Sequence, residues 1–435
     1  MLENFFKLRE NDTNIETEVL AGITTFLTMA YILAVNPMIL EKAGMPFGGV
    51  LTATILVASL SSILMGLFAN LPFALAPGMG INAFFTFSMV IGMKIPWQTA
   101  LGAVFISGII FLLMTIFRLR EAIVRAIPHC VRLGVAAGIG LFLCLLALKS
   151  AGFIVSNPAT LVGFGGFNAQ TLVFLAGLAL TIFFEHRKIH GSLLLGIVLT
   201  TLLAIGHGRL WSGDVFVSVP AQLSAQPDFS SVFFKLDIVG ALNFGIMGAV
   251  FTLLFTDMFD SISTFLGVAS VAGMVDENGE PKNFNQALLV DAVSTTLSGL
   301  VGSSSGTTYV ESAAGVEQGG RTGLTAVVTG ALFIPFLWFA PALQMVPPCA
   351  VAPALLLVGF FMLRAIAGID WKDYEVGLPA FAALILIPFT FSISQGISWS
   401  LILFLLLKIY SGKTRETQPM LWIITGFAGL ALYLS

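Results

Sequence analysis

The sequence predicts an all-α polytopic membrane protein with about fourteen transmembrane spans. Of its 435 residues, 57% are hydrophobic and only 10% are charged, with a mean hydropathy of +0.97. Soluble domains carry about 25% charged residues. Apolar windows of about 20 residues, the length needed to cross a bilayer as a helix, recur along the whole chain. The short alternating segments typical of β-barrels do not dominate it.

Hydropathy sets the order and approximate limits of the spans. They are predicted at 19–40, 49–69, 72–91, 98–117, 130–150, 170–185, 191–206, 240–270, 285–303, 307–319, 322–344, 348–366, 375–393 and 395–411. A last apolar stretch, 419–434, is short for a span and is predicted to be a half-length or interfacial helix.

The basic residues orient this scheme in the membrane. With the N-terminus in the cytoplasm, fifteen of the 20 Lys and Arg residues fall on the cytoplasmic side. The other five, Lys42, Lys94, Lys149, Arg209 and Lys235, fall on the opposite side. Cytoplasmic loops carry the excess of basic residues, so we expect a multi-pass protein of the inner membrane with a cytoplasmic N-terminus.

The long polar connection 207–239 divides the spans into two groups of seven. An odd number per half inverts the second half, which predicts inverted repeats. Two short, Gly- or Pro-interrupted segments occupy corresponding third positions: LPFALAPGMGINAFF (71–85) and SGTTYVESAAGVEQGG (305–320). Irregular backbone at membrane depth survives only inside protein or beside a water-filled cavity. Paired interruptions of this kind indicate the binding site of a transporter.

Four carboxylates lie within predicted spans or at their edges: Asp257, Asp260, Asp291 and Glu311. Each intramembrane acid costs about 2.5–3.5 kcal/mol on insertion scales, so such residues indicate function. No Lys or Arg lies in the same spans to neutralise them. Their partners are therefore hydrogen-bond donors, protons, a cation or a substrate. The structural alternatives are a hydroxyl-bonded buried acid for Asp260, an inter-helix tie for Asp291 and a helix cap for Glu311.

A flat heterocycle with alternating N–H, C=O and ring nitrogens suits the slot between the two interrupted segments. Carboxylates accept from its N–H groups, and the Asn82 amide offers both polarities. Phe73, Phe84, Phe85 and Tyr309 are aromatic candidates for a stacking surface. Buried acids without fixed counter-ions favour proton coupling. The same oxygens are also suitable ligands for sodium, so the coupling ion stays open between the two.

Other classes have weaker support. The four histidines show no metal spacing, the three cysteines (Cys130, Cys144 and Cys349) have no CxxC spacing, and no GxxxxGK[ST] loop for ATP occurs, so we expect no metal, no organic cofactor and no enzymatic activity. An anion carrier would place a basic residue in a half-helix, and none is visible. A passive channel would show neither accumulation nor pH coupling. The Gly134–Gly138 pattern is typical of helix packing.

Four strings resemble the nucleobase–cation symporter family of xanthine/uracil permeases. They are ITTFLTMAYILAVNP (23–37), ANLPFALAPGMGINAFF (69–85), FTDMFDSISTFLG (255–267) and TTYVESAAGVEQGGRTGLTA (307–326). The chain looks most like the AzgA-like branch, which carries adenine, guanine and hypoxanthine. The resemblance runs over essentially the whole chain and implies proton symport of purine bases by movement of one domain against the other.

The resemblance also implies a uracil-permease-like fold. Residues 1–127 (spans 1–4) and 240–345 (spans 8–11) would form a core domain, whereas 128–239 and 346–435 would form a gate domain, through which a homodimer is plausible. Spans 3 and 10 would carry short antiparallel strands with the purine between them.

Residue by residue, the resemblance places Glu311 and Asp257 on the purine, with Asp260 and Asp291 in support or coupling. Asn82 and Tyr309 would line the site. Phe73 is a further substrate-binding candidate because it lies in the first interrupted segment. Ser312 and Thr25 are also predicted to bind the substrate. Xanthine and uracil carriers have other residues at these two positions, which argues against those two substrates.

Overall fold

The computed structural model describes residues 2–117, 126–207, 223–243, 246–271, 274 and 283–434. The α-helices are α1 (Leu2–Phe5), α2 (Ile15–Met29), α3 (Ile32–Glu41), α4 (Phe47–Leu64), α5 (Met79–Ala83), α6 (Trp97–Ile116), α7 (His129–Ser150), α8 (Ala169–His186), α9 (Ser192–His207), α10 (Ile238–Ala241), α11 (Met247–Val271), α12 (Phe284–Val301), α13 (Ser312–Glu317), α14 (Gly323–Phe333), α15 (Ala340–Gln344), α16 (Pro348–Leu363), α17 (Tyr374–Thr390), α18 (Ile393–Tyr410) and α19 (Pro419–Leu434). The strands are β1 (Leu75–Pro77), β2 (Ile154–Asn157), β3 (Leu161–Phe164) and β4 (Gly306–Thr308). π-Helical turns (Met65–Ala69 and Phe84–Gly92) and 3₁₀ turns (Arg9–Asn11, Ile334–Trp338, Arg364–Gly368 and Thr414–Glu416) extend or link them.

Length and composition identify this as a multi-pass membrane protein. Among the described residues, 6 helical segments are long and apolar enough to cross a bilayer: Ile15–Glu41, Phe47–Ala69, Trp97–Ile116, His129–Ser150, Ala169–His186 and Pro348–Gly368. Shorter apolar helices accompany them, among them Met79–Gly92 and Gly323–Trp338. Part of the predicted loop 207–239 and five basic residues (Arg118, Arg120, Arg125, Arg209 and Lys282) lie outside the described residues. The fourteen-span count stays a prediction.

The first span is two helices rather than one. Residues Ala30 and Tyr31 separate α2 from α3. Just before the break, the Thr28 hydroxyl donates to the carbonyls of Thr24 and Thr25 at 3.1 and 2.8 Å. Back-bonding of this kind bends helices. Pro37, inside α3, lacks the N–H for an intrahelical bond.

Two sets of helices make extensive contacts among the described residues. In one, α14 contacts α2 and α4, and α6 contacts α12; in the other, α7 contacts α16 and α17, and α17 contacts α18. A Cβ on Gly134 would lie 2.6 Å from the Ala380 backbone, and one on Gly138 would lie 2.7 Å from the Ala383 carbonyl oxygen. The small residues of α7 therefore let α17 approach closely, which is the packing role predicted for them.

The C-terminal stretch 419–434 forms helix α19, which packs on α18 and α11. The stretch predicted as span 322–344 is divided among α14, a 3₁₀ turn at Ile334–Trp338 and the short α15. Pro335 and Pro341 stand in the first turns of the two later pieces. A proline there starts a new helical segment easily, because its missing N–H is one that would be unpaired anyway.

Candidate functional site

The two interrupted segments meet as a two-stranded antiparallel sheet. β1 and β4 pair through Leu75↔Thr308, Ala76↔Thr307 and Pro77↔Gly306. Flanking bonds lengthen the pairing, since Tyr309 N–H donates to the Ala74 carbonyl at 2.9 Å. All six strand residues are buried. Short strands at this depth are tolerated because surrounding protein satisfies their backbone groups.

At β1, serine hydroxyls form hydrogen bonds with backbone groups that do not pair with β4. The Ser62 hydroxyl accepts from Leu75 N–H at 2.9 Å and donates to the Leu75 carbonyl at 3.1 Å. The Ser312 hydroxyl accepts from Ala74 N–H at 3.0 Å. Ser312, predicted to bind substrate, therefore ties the two interrupted segments together. It is not among the residues that line the cavity described next.

A cavity of about 660 Å³ opens beside this sheet. Its wall includes predicted site residues from two segments, Glu311 and Tyr309 after β4 and Asp260 on α11. Met79, Phe361 and Met362 add apolar surface. The cavity thus combines a few polar groups with a largely apolar wall, as small-molecule sites do.

Glu311 is held from the break in the first span. The Tyr31 hydroxyl donates to Glu311 Oε1 at 2.6 Å, and the Thr28 hydroxyl donates to the Glu311 carbonyl at 3.5 Å. Both Thr28 and Tyr31 lie on the cavity wall. Sequence analysis missed them. The available signal was Tyr31 itself, a polar aromatic residue inside the apolar string ITTFLTMAYILAVNP.

Tyr309 and Asp260 add two further polar side chains to the cavity wall. The Tyr309 hydroxyl donates to the Pro77 carbonyl at 2.6 Å, so its side chain closes over the end of β1. The Thr307 hydroxyl donates to Asp260 Oδ2 at 3.3 Å. Along α11, Asp260, Thr264 and Val268 all line the cavity. Their spacing of four residues places them on one helical stripe.

Asp257 lies away from that stripe and behind the sheet. It is buried, and its Oδ2 accepts from the hydroxyls of Thr295, at 2.7 Å, and Ser305. Thr295 also contacts the Gly306 carbonyl of β4 at 3.2 Å. Asp257 thereby secures the start of β4 and is not among the cavity-lining residues. Asp291 is buried on α12 and accepts from Ser261 at 2.7 Å, which joins α12 to α11.

Three successive serines before β4 each contact a buried polar side chain from a different element. Ser303 accepts from Asn36 Nδ2 at 3.2 Å, Ser304 donates to Asn82 Oδ1, and Ser305 donates to Asp257. Asn82, predicted to contact substrate, is buried and faces this serine run rather than the cavity wall. The serine run thus fixes β4 against spans 1, 3 and 8 of the predicted scheme.

Two further predicted residues also pack behind the wall. Phe73 is fully buried and meets Phe265 edge to face, with ring centroids 5.4 Å apart. Thr25 is fully buried against α13, because a Cβ on Gly315 would lie 2.1 Å from Thr25 Oγ1. The structure therefore brings Glu311, Tyr309 and Asp260 together on the cavity. It places Asp257, Asp291, Asn82, Ser312, Phe73 and Thr25 in the surrounding framework.

The described ranges also contain residue types that can bind metal ions. There, no three His, Cys, Asp or Glu residues come together as a metal-binding group. Cys130, Cys144 and Cys349 are free thiols distributed over α7 and α16.

Apolar helices that enclose two interrupted segments and a cavity lined by acidic side chains define a membrane transport protein. The xanthine/uracil permease model, described as "Permease family", matches residues 16–399. The chain belongs to this family and is a permease, not an enzyme.

Relatives in the family are similar over their full length. The adenine permease AdeP of Escherichia coli is 44% identical over 98% of this chain and 94% of its own. AdeQ, an adenine permease of the same organism, is 41% identical over 100% and 96%. The guanine/hypoxanthine permease PbuO of Bacillus subtilis is 36% identical over 99% and 100%.

Solved structures agree on the fold. The transmembrane domain of the cyanobacterial bicarbonate transporter BicA superposes with a TM-score of 0.68 at 17% identity, covering 89% of this chain and 97% of that domain. SLC26A9 gives a TM-score of 0.68 at 10% identity, covering 91% of this chain and 66% of its own. Similarity at these identities extends to architecture alone.

Proposed function

We propose that this permease imports purine nucleobases (adenine, guanine and hypoxanthine) together with protons. The observation that carries the proposal is the meeting of two carboxylates, Glu311 and Asp260, in one cavity beside two crossed, interrupted segments. Relatives at 36–44% identity are named as adenine or guanine/hypoxanthine permeases. Their names supply the class of base that the geometry alone leaves open.

The polar wall suits a neutral base that is rich in N–H groups. Carboxylates accept hydrogen bonds from such groups. Glu311 reaches the cavity from the start of α13, and Asp260 reaches it from α11. Tyr309 and the apolar side chains around it give a ring surface to pack on. Asp257 and Asn82 lie behind the cavity wall, where they would hold β4 and β1 in register. Among the described residues, the basic residue on the cavity wall is Arg364. It is exposed, and its Cζ atom lies 5.0 Å from the centroid of the Phe361 ring.

A proton is the coupling ion we propose. Glu311 accepts a hydrogen bond from the Tyr31 hydroxyl, and Asp260 accepts one from the Thr307 hydroxyl. Repulsion between two acids in a site of low dielectric favours uptake of a proton with the neutral base. Asp291, joined to Ser261, lies close along the same helix pair and would support this step.

We propose fourteen spans arranged as two inverted repeats. Transport would then occur by an elevator-like movement, in which a core domain (1–127 and 240–345) slides against a gate domain (128–239 and 346–435). Contacts between the two units close one end of their boundary: Lys42 Nζ donates to Ser150 Oγ at 3.0 Å, and Ser88 Oγ donates to the Phe391 carbonyl at 2.7 Å. In this scheme Lys42, Ser150 and Phe391 end odd-numbered spans and face the outside. The cavity would then open inward.

Uptake of labelled adenine, guanine and hypoxanthine, in cells lacking their own carriers, tests the function. We expect accumulation that rises at acidic external pH, collapses with a protonophore and persists when sodium is replaced by choline. Glu311→Gln should abolish accumulation, whereas Glu41→Gln, an exposed glutamate, should not. If none of the three bases accumulates although the protein inserts, the proposal fails. If uptake instead requires sodium, then sodium rather than the proton is the coupling ion.

The remaining proposals concern placement and assembly. We propose an inner-membrane location, a cytoplasmic N-terminus and a homodimer through the gate domain. Reporter fusions at the termini and at loop 207–239 test the orientation. The mass of the detergent-solubilised protein tests the dimer.

A further inference from the structure

At the break in the first span, the Tyr31 hydroxyl contacts Glu311 of the second interrupted segment. Tyr31 stands between α2 and α3 and is 1% exposed, so its ring is enclosed by protein while its hydroxyl reaches the cavity wall. Ala30 and Tyr31 keep right-handed helical backbone angles. The hydrogen bonds across them tighten, since Leu33 N–H donates to the Ala30 carbonyl and Ala34 N–H donates to the Tyr31 carbonyl.

The contact is a short, direct hydrogen bond to the acid. Tyr31 Oη lies 2.6 Å from Glu311 Oε1, within the usual 2.5–3.0 Å range of O–H···O bonds. One turn earlier, Thr28 contacts the backbone carbonyl of Glu311. The first span therefore contacts both the side chain and the backbone of Glu311, although about 280 residues separate them along the chain.

We propose that Tyr31 is a positioning residue for base and proton uptake at Glu311. Its hydroxyl fixes one carboxylate oxygen and orients the carboxylate toward the cavity, where the base N–H binds. This inference rests on the proposed function and adds a residue from outside the interrupted segments. The charged and titratable groups that share the cavity wall with Glu311 are Tyr31, Glu185, Asp260, Tyr309, Glu317 and Arg364.

Tyr309 offers a matched comparison. It lines the same cavity and is also buried, and its hydroxyl makes a bond of the same length, 2.6 Å, but to the Pro77 carbonyl rather than to an acid. Deleting either hydroxyl removes one oxygen atom and retains the ring. The two deletions differ in whether a carboxylate loses its donor.

The experiment measures base uptake against pH for Tyr31→Phe and Tyr309→Phe. For Tyr31→Phe we expect Vmax/KM to fall about 10-fold to 100-fold, the effect of one hydrogen bond to a charged group. Loss of a donor disfavours the ionised carboxylate, so the alkaline limb of the profile should move to higher pH. Tyr309→Phe should leave that limb in place. In a Glu311→Gln background, Tyr31→Phe should cause no further loss of labelled-base binding by the purified protein.

The outcomes separate this inference from the proposed function. If the wild-type protein accumulates no purine, the function fails. If it accumulates purine and Tyr31→Phe keeps both the wild-type pH profile and a Vmax/KM within about twofold, the positioning role is refuted. An equal displacement of the alkaline limb in Tyr309→Phe would also refute it. Thermal stability of each purified variant shows whether the fold is intact, and wild-type stability is expected for both.

Discussion

Replacing Glu18 by Gln should destabilise the protein through a contact far from the cavity. Glu18 of α2 is fully buried at the start of α14. Its Oε1 accepts from the N–H groups of Arg321 at 2.8 Å and Thr322 at 3.1 Å. Its Oε2 accepts from Thr325 N–H at 3.2 Å and from the Thr325 hydroxyl at 2.6 Å. One carboxylate thus caps a helix that is distant in sequence.

The magnitude follows from what the amide keeps and loses. Gln retains one oxygen for Arg321 and Thr322, but its NH₂ group would face Thr325 N–H, donor against donor. A buried N–H without an acceptor costs about 1–3 kcal/mol. Removing a negative charge from a helix N-terminus costs a further ~0.3–2 kcal/mol. The free energy of unfolding should therefore fall by about 2–4 kcal/mol, of which the orphaned N–H is the larger part.

Thermal unfolding of the detergent-solubilised protein measures the effect. At roughly 2.1 cal/mol/K per residue, a cooperative transition of the whole chain has an unfolding entropy of about 0.9 kcal/mol/K, so the melting temperature should fall by about 2–4 °C. Glu16→Gln is the control, because Glu16 lies in the first turn of the same helix and is exposed. If the Glu18→Gln and Glu16→Gln variants have the same melting temperature, the capping argument is refuted.

Three further predictions concern the site, the packing and the movement. Asp260→Asn should lose uptake at nearly wild-type stability, whereas Asp257→Asn should lower the melting temperature as well, because Thr295 and Ser305 lose a charged acceptor; equal stability of the two variants would contradict this. Gly138→Ala should cost about 1–3 kcal/mol in a melting assay, since its Cβ would meet the α17 backbone at 2.7 Å. Joining cysteines at Lys42 and Ser150 with a short thiol cross-linker should stop uptake until the linker is cleaved; continued turnover would exclude sliding at this boundary.

The parts of the architecture that depend on local composition could be predicted from the sequence. Long apolar runs indicated a multi-pass membrane protein, and Gly and Pro within 71–85 and 305–320 marked the interrupted segments where β1 and β4 are found. Glu311 was identified because a carboxylate in an apolar setting is costly. These signals come from a residue and its immediate neighbours, so no knowledge of distant contacts was required.

The partners of those residues depend on distant contacts. Tyr31 and Glu311 stand about 280 positions apart, and nothing in either local string specifies that they come into contact. GGRTG was recognisable as a motif, but its physical reason appears only when Glu18 is placed beside it. For the same reason Thr25, which stands in the same string as Tyr31, was favoured from the sequence although it packs against Gly315.

The division of labour between Asp257 and Asp260 follows from helix geometry. Residues three apart on a helix are neighbours but are rotated by about 60° from each other. On α11 that rotation is enough to direct Asp260 toward the cavity with Thr264, while Asp257 meets Thr295 and Ser305 behind β4. The Thr307 hydroxyl of β4 contacts Asp260, and Ser305, two residues earlier, contacts Asp257. A shift of β4 would therefore disturb both acids together, which couples the order of the strand to the chemistry of the cavity.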